Sequence, residues 1–427
     1  MLDIKLIREH PEIVKNDLKK RREEEKIKWV DDLLNYDKKW KELIQTTNKL
    51  REKRNIITQE IAQLKKKGKN VKTKMKEVKQ IPKKIKKLDV EIEKYKKKAN
   101  SILMRLPNIL HESVPIGMDE KDNVVIRTWG EPPKFDFKSK NHLDIAIDLG
   151  LIDADRAAKV AGAGFYYLKN ELVLLDLAIQ RFAIDHLTKK GYTLIEPPFM
   201  IRREPYEGVT DLSDFELVTY RIEDEDIYLI ATSEHPMAAM FMDEILNKDD
   251  LPIKLIGVSP CFRKEIGAHG KYTKGLFRMH QFNKVEQFIF CLPEQSWQIH
   301  EELQKNCEEL YQALGLHYRV VNVCTGDIGT IAAKKYDTEV WMADGIYREV
   351  GSNSNCIDYQ ARRLKIKFRE KEGQVPKGFV HTLNNTALAT SRTMIAILEQ
   401  FQQKDGSVII PKVLRSLMNG IERLTKH

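Results

Sequence analysis

Long apolar runs are missing from this chain. The longest, residues 172–179, is interrupted by Asp176 and falls well short of the ~20 residues that a membrane-spanning helix needs. Residues 1–10 are charged throughout and offer no apolar core for a secretory signal. Cysteine is scarce: Cys261, Cys291, Cys307, Cys324 and Cys356 are odd in number, scattered and without a CxxC pair. That excludes a disulfide scaffold, disfavours a four-cysteine zinc site and predicts a reducing, cytoplasmic compartment. No GxGxxG follows a strand pattern and no GxxxxGK[ST] occurs. Neither a dinucleotide-binding fold nor a P-loop is therefore indicated.

What is present is length, charge and periodicity. The chain has 427 residues, 42% apolar and 32% charged, which fits a folded protein of more than one domain. The net charge of +10 is unevenly spread: residues 1–106 carry +16 and the remainder −6. A basic N-terminal third on a mildly acidic body suggests an arm for a polyanion. A solvated helical face is the competing reading, but blocks such as 65–67 and 96–98 weigh against it. Trp29, Leu33, Tyr36, Trp40, Leu43, Thr47, Leu50, Arg54, Ile57, Ile61 and Leu64 alternate in steps of four and three, the seam of a coiled coil. Gly68-Lys69-Asn70 breaks it, and Ile81, Ile85, Leu88, Ile92, Tyr95, Ala99 and Ile102 form a second seam. The two predict an antiparallel helical hairpin, with Pro82 kinking or loosening the second helix.

The expected organisation is an N-terminal domain over 1–106, a loop-rich connector over 107–170 and a body over 171–427. In the body, a helix is expected over 171–190 and a short strand over 192–196. Strands are expected over 226–232, 253–258, 277–290, 318–323, 339–341 and 363–368, with helices at 296–314 and 394–402. The pattern predicts an α+β fold built on an antiparallel sheet. Along 277–290, alternation puts Arg278, His280, Phe282, Lys284 and Glu286 on one face. Such a set is odd for a core face: it suits phosphate, a stacked base and an ammonium or hydroxyl group, or else a solvated sheet face with a snorkelling arginine. The preceding connection, 264–275, carries Gly267, Gly270 and Gly275 with Lys264, His269, Lys271 and Lys274, a cationic loop fit to close over phosphates.

Phe262-Arg263-Lys264-Glu265, followed by Gly275-Leu276-Phe277-Arg278-Met279-His280-Gln281-Phe282-Asn283-Lys284-Val285-Glu286, resembles the second signature motif of class II aminoacyl-tRNA synthetases. The detail is similar to the seryl-tRNA synthetase family, in its common type without zinc. The third motif is matched by Asn384-Asn385-Thr386 through Arg392-Thr393, the serine block by Thr232-Ser233-Glu234, and the first motif, weakly, by residues 191–198. Glu349-Val350-Gly351-Ser352 through Cys356 and residues 358–363 match the segment between motifs, and 106–108, 113–115 and 150–159 match the connector. The resemblance spans essentially the whole chain. It departs in small ways: Thr232-Ser233-Glu234-His235 stands for the more usual TAE, and Pro82 interrupts the arm.

The resemblance implies a class II antiparallel sheet with an N-terminal helical hairpin, and serine–tRNA ligase activity with ATP and Mg2+. It implies that Arg263 holds the α-phosphate, Glu265 the adenine amino group, Arg278 the phosphates and the Met279 backbone the adenine edge. Phe282 would lie beneath adenine, with Arg392 above it and reaching the γ-phosphate. Lys264, Val350 and Gly351 join the ATP site, while Glu349 and Ser352 would hold magnesium. Arg263, Glu265, Arg278 and Arg392 are the implied catalytic set. Thr232, Ser233, Glu234, Arg263, Glu286, Asn384 and Thr386 would surround L-serine, with the carboxylate for the ammonium and that for the hydroxyl left open. The hairpin would bind tRNA(Ser) across a homodimer, with tRNA(Sec) an open second substrate; no zinc and no membrane are expected. Two alternatives remain: a non-catalytic RNA-binding homologue, and a paralogue that charges a carrier protein.

Overall fold

The computed structural model describes residues 1–211, 217–265 and 275–426. It divides into two compact units, Met1–Pro107 and Asn108–His427. In the first, two short helices, α1 (Ile4–Glu9) and α2 (Pro11–Lys20), precede the long helices α3 (Ile27–Lys66) and α4 (Lys72–Leu103). Arg8 clamps Asp37 through two hydrogen bonds of 2.9 and 2.7 Å. Ile7, Val14 and Leu18 are buried, as are Val30 and Leu33 at the base of α3.

Helices α3 and α4 are antiparallel. Tyr36 meets Tyr95 with ring centroids 6.0 Å apart. Lys53 pairs with Glu77 at 2.7 Å, and Arg51 with Asp89 at 3.6 Å. The seam buries Ile57 against Ile81 and Ile85, with Leu50, Ile61 and Val78 at its margins. Among the seam positions of α3, only Arg54 is exposed. The second helix starts at Lys72, about nine residues before the seam was expected to begin, and it runs through Pro82. Pro82 faces solvent while Val78, Ile81 and Ile85 pack inward, so packing on both sides of the missing N–H keeps the helix continuous where a kink was expected.

The second unit is built on eight strands: β1 (Val124–Trp129), β2 (Thr193–Ile195), β3 (Ile253–Phe262), β4 (Gln281–Cys291), β5 (Tyr318–Asn322), β6 (Lys334–Trp341), β7 (Tyr347–Ile357) and β8 (His381–Ala389). They lie in the order β1-β5-β6-β7-β8-β4-β3-β2. Every pairing is antiparallel except that of β2 with β3. Helices α5 (Glu171–Thr188), α6 (Ser296–Leu314) and α7 (Thr390–Gln400) share one core with the sheet. It joins Leu175 and Ile179 of α5, Leu303 and Leu310 of α6, and Ile395 and Leu398 of α7 to Ile289, Val320 and Leu383. Gly315 ends α6 at φ 73°, a left-handed closure that glycine adopts without penalty.

Several expectations need correction. The strand expected from 277 begins at Gln281, because His280 is drawn aside: its backbone N–H donates to Gly164 O (3.1 Å) and its ring stacks on Phe165 at 4.9 Å. Arg278 and His280 therefore do not share a strand face with Glu286. Arg363 and Leu364 end a short helix, Tyr359–Leu364, and the strand that follows is only Lys367–Arg369. The strand expected over 226–232 spans Ile227–Leu229. Residues 108–170, read as a connector, fold with the body and supply the edge strand β1 and two helices, His142–Asp148 and Ala154–Ala161. The loop positions Gly267, His269, Gly270, Lys271 and Lys274 lie outside the described residues.

The seam makes the hairpin's stability testable. Ile81→Ala is expected to destabilise the hairpin by roughly 2–4 kcal/mol, the usual cost of emptying a buried aliphatic site. Hydrogen exchange should then accelerate across α3 and α4 and stay unchanged in β3, β4 and β8.

Candidate active site

The central strands bring the serine-block and motif residues together by register. Glu286 of β4 stands opposite Thr386 of β8 and Gly257 of β3. Glu286 is 0% exposed. Lys284 pairs with its Oε2 at 2.6 Å, and the Thr386 hydroxyl donates to the same oxygen at 3.1 Å. Asn384 Nδ2 donates to Oε1 at 3.1 Å. A buried carboxylate is tolerated only with such partners, and here they come from its own strand and the next one.

The segment Thr232-Ser233-Glu234 packs against β3. Thr232 Oγ1 accepts the Glu234 backbone N–H at 3.1 Å, and Ser233 Oγ donates to Gly257 O at 3.4 Å. Gly257 makes that approach possible: a Cβ there would stand 2.8 Å from Ser233 Cβ and 2.7 Å from Met237 Cε. Gln360 donates to Glu234 Oε1 at 3.3 Å and accepts from Thr382 Oγ1 at 2.7 Å. Burial, and then the charge of Glu286, push the Glu234 carboxyl up to about 7, with Lys284, Gln360 and Arg263 acting the other way. Beside it, His235 is held neutral by burial, its pKa lowered to about 3.

Arg263 follows β3 directly. Its Nε donates to Ala231 O at 3.2 Å, and its guanidinium lies over the Phe282 ring at 5.3 Å. Lys264 donates its backbone N–H to Val218 O at 2.8 Å. Glu265 sits at φ 49°, a left-handed conformation that is strained for a non-glycine residue, and accepts from Arg278 Nη1 at 3.0 Å. Helix α7 starts at Thr390, so Arg392 lies in its first turn. The Thr390 hydroxyl donates to Asn283 O at 3.0 Å. Arg392 Nη1 donates to Glu349 O at 2.8 Å, and its guanidinium lies over Phe277 at 4.8 Å. Arg392 therefore stacks on Phe277.

A cleft of about 1090 Å³ is lined by Phe277, Arg278, Asp337, Glu349 and Arg392, among others. Met279 and Phe282 instead line a neighbouring cavity of about 220 Å³ with Asn283 and Thr390. Ser352 donates to Asp337 Oδ1 at 2.6 Å and to Glu349 Oε1 at 3.1 Å. Burial alone would raise the Glu349 carboxyl, but Arg392 and Lys335 outweigh it, with Arg263 contributing, and its pKa is lowered. Burial and the Glu349 charge raise that of Asp337, against Lys335. Two carboxylates around one hydroxyl form a hard-oxygen set of the kind that would suit Mg2+. Val350 is buried, and Gly351 lets β7 close on β8: a Cβ there would lie 3.1 Å from Thr386 Cβ. Sequence reading missed Asp337, Lys335, Gln360 and Phe277. Of these, Asp337 had a trace, since alternation along β6 puts it on the face opposite Tyr336. All five cysteines are buried and free.

A sheet of this order, with arginines at its hairpin and at the helix after its last strand, defines the body of a class II aminoacyl-tRNA synthetase. The profile described as the tRNA synthetase class II core domain (G, H, P, S and T) matches residues 217–401, and that of the seryl-tRNA synthetase N-terminal domain matches 1–110. The serine–tRNA ligase of Methanospirillum hungatei is 58% identical over 99% of this chain and 100% of its own. That of Pyrococcus horikoshii is 53% identical over 97% of this chain and 95% of its own. The crystal structure of the Pyrococcus horikoshii seryl-tRNA synthetase complexed with ATP superposes with a TM-score of 0.95 at 52% identity, covering 100% of both chains. A cytoplasmic serine–tRNA ligase of Naegleria fowleri in complex with AMP gives 0.89 at 36% identity, over 100% of this chain and 99% of its own. The chain belongs to the seryl-tRNA synthetase family, the serine–tRNA ligases of class II.

The raised Glu234 carboxyl has a consequence for stability. In the unfolded chain it titrates near 4.5 and in the folded one at about 7. Its relative contribution is therefore fullest below 4.5 and is lost as pH rises through 7. Glu234→Gln removes that loss. The melting temperature of the variant should gain on that of the unaltered protein between about pH 5 and pH 8, in melts without substrate.

Proposed function

We propose that the body joins L-serine to ATP, giving seryl-adenylate and pyrophosphate, and then passes serine to the 3′-terminal ribose of tRNA(Ser). The observation that carries this reading is the closeness of two unlike sites on the central sheet, with Glu286 on β4 and Glu349 on β7 separated by β8 alone. One is a buried acidic pocket around Glu286 and Glu234; the other is an arginine-lined cleft around Glu349. A serine carboxylate oxygen attacks the α-phosphorus, and the bond from that phosphorus to the pyrophosphate oxygen breaks.

Both oxygens of Glu286 already accept hydrogen bonds, from Asn384 and from Thr386 with Lys284. It suits the serine hydroxyl, shared with Thr386. Glu234, held by Gln360 at one oxygen, takes the ammonium together with Thr232, and Ser233 anchors that segment to β3. Arg263 bridges the serine carboxylate and the α-phosphate. Arg278 and Arg392 hold the remaining phosphates, where charge develops as pyrophosphate leaves. ATP displaces the Arg278–Glu265 ion pair, freeing Glu265 for the adenine amino group. Adenine lies on Phe282 with its edge on the Met279 backbone, beside Lys264, Val350 and Gly351. Glu349 and Ser352, with Asp337, would hold Mg2+, which when bound neutralises phosphate charge.

The hairpin of α3 and α4 binds tRNA through phosphates, which its lysines favour. Val173, Leu177, Leu194 and Met200 are exposed on α5, β2 and the segment after it, and a homodimer would cover them. No helix among the described residues is long and apolar enough to cross a membrane, and the proposed place of action is the cytoplasm.

The test is ATP–pyrophosphate exchange. It should depend on serine, and alanine should be rejected by roughly 10⁴, because the hydroxyl's buried partners would be left unpaired. Arg392→Ala should lower exchange about 10²–10³-fold. Serine-independent exchange, or equal activity with alanine, would refute the reading.

A further inference from the structure

Successive residues of a strand face opposite sides of the sheet, so each site residue on these strands has a neighbour pointing the other way. Four of these neighbours fall in one cross-strand row. Gln287 of β4 pairs with Asn385 of β8, Asn385 with Asn353 of β7, and Asn353 with Tyr336 of β6. Adjoining them along the strands stand Glu286, Thr386, Ser352 and Asp337. Gln287 and Asn353 are 0% exposed and Asn385 is 1% exposed.

All four reach helix α6. Asn385 Nδ2 donates to Leu303 O at 2.7 Å, and Gln287 Nε2 to the same oxygen at 3.3 Å. Asn353 Nδ2 donates to His300 O at 2.9 Å and to Gln304 Oε1 at 3.3 Å. The Tyr336 hydroxyl donates to Glu301 Oε1 at 2.9 Å. In return, His300 Nε2 lies 3.2 Å from Asn353 O, and Asn306 Nδ2 donates to Gln287 Oε1 at 2.9 Å.

Stability does not explain the row. His300 and Leu303 lie within α6, where the helix's own N–H groups already serve the carbonyls. The amide oxygens of Asn353 and Asn385 are buried without a hydrogen-bond partner, which costs free energy. A leucine at 385 would bury apolar surface in place of the unpartnered amide oxygen; at 353 it would do the same and also remove the donor to Gln304 Oε1. What the amides add is direction: each fixes the rotation and register of one strand against a single rigid helix.

We propose that Gln287, Asn385 and Asn353 are positioning residues, which pin β4, β8 and β7 to α6 so that Glu286, Thr386 and Ser352 keep their spacing across the two halves of the proposed site. They touch no substrate. The inference rests on the assignment of those halves to serine and to phosphate, and it predicts that the rows can be perturbed separately.

The test is serine-dependent ATP–pyrophosphate exchange and thermal melting of the full chain carrying Asn385→Leu or Asn353→Leu. Asn385→Leu should raise the KM for serine about tenfold, with the KM for ATP within twofold. Asn353→Leu should raise the KM for ATP and leave that for serine. Both should keep the melting temperature within a few degrees. Lower melting temperatures with both KM values unchanged would make the row an ordinary structural tie and overturn the proposal. Should Asn385→Leu not accumulate folded, Gln287→Met, which removes another donor to the same carbonyl, carries the test; an unchanged KM for serine there overturns it. The unaltered chain is the control: if it lacks serine-dependent exchange, the functional reading fails, whereas normal exchange with unresponsive variants faults the amide row alone.

Discussion

A carboxylate sealed from water has to be surrounded before it can be useful, and Glu286 is that carboxylate. Its three partners, Lys284, Asn384 and Thr386, lie on β4 and β8. The pairing of those strands and the survival of the charge are thus one requirement. The charge then shapes its surroundings: it helps to push Glu234 towards neutrality, and Lys284 and Arg263 oppose that push. In the proposed reading, such a pocket receives a small zwitterion with a hydroxyl beside the Lys284, Asn384 and Thr386 partners already in place.

The other half of the cleft works by the opposite balance. Around Glu349, cations outweigh burial, and its carboxyl stays ionised. Phe277 under Arg392 and Phe282 under Arg263 hold two guanidiniums at fixed heights. Arginines stacked on rings lose less freedom when they engage phosphate. Acid is concentrated around Glu286 and Glu234, and base around Glu349, which Arg392 and Lys335 flank. The sheet separates the two by about one strand.

How far the sequence reveals this depends on where each residue's partners lie. The seam of α3 and the limits of α6 are local signals, legible from spacing alone. Strands β7 and β8 are not: Gly351-Ser352-Asn353-Ser354-Asn355 and Asn384-Asn385-Thr386 are polar on both faces, so no apolar alternation marks them. They were visible only as resembling known motifs. Arg278 and His280 were placed on a strand because nothing local discloses that residues 164 and 165 capture His280. Nothing local discloses that Phe277 lies under the Arg392 guanidinium. Gln360 and Asp337 act through groups far away in sequence or across a strand pair, and only the fold brings them to the site.

In the proposed site, Glu286 and Glu234 divide the two polar ends of serine between them. A crystal structure with a non-hydrolysable seryl-adenylate analogue tests it most directly. The serine hydroxyl should lie within hydrogen-bond reach of both Glu286 and Thr386, the ammonium against Glu234, and the phosphate mimic against Arg263. An analogue whose amino-acid moiety sits away from Glu286, with the Gln360–Glu234 contact undisturbed, would contradict it.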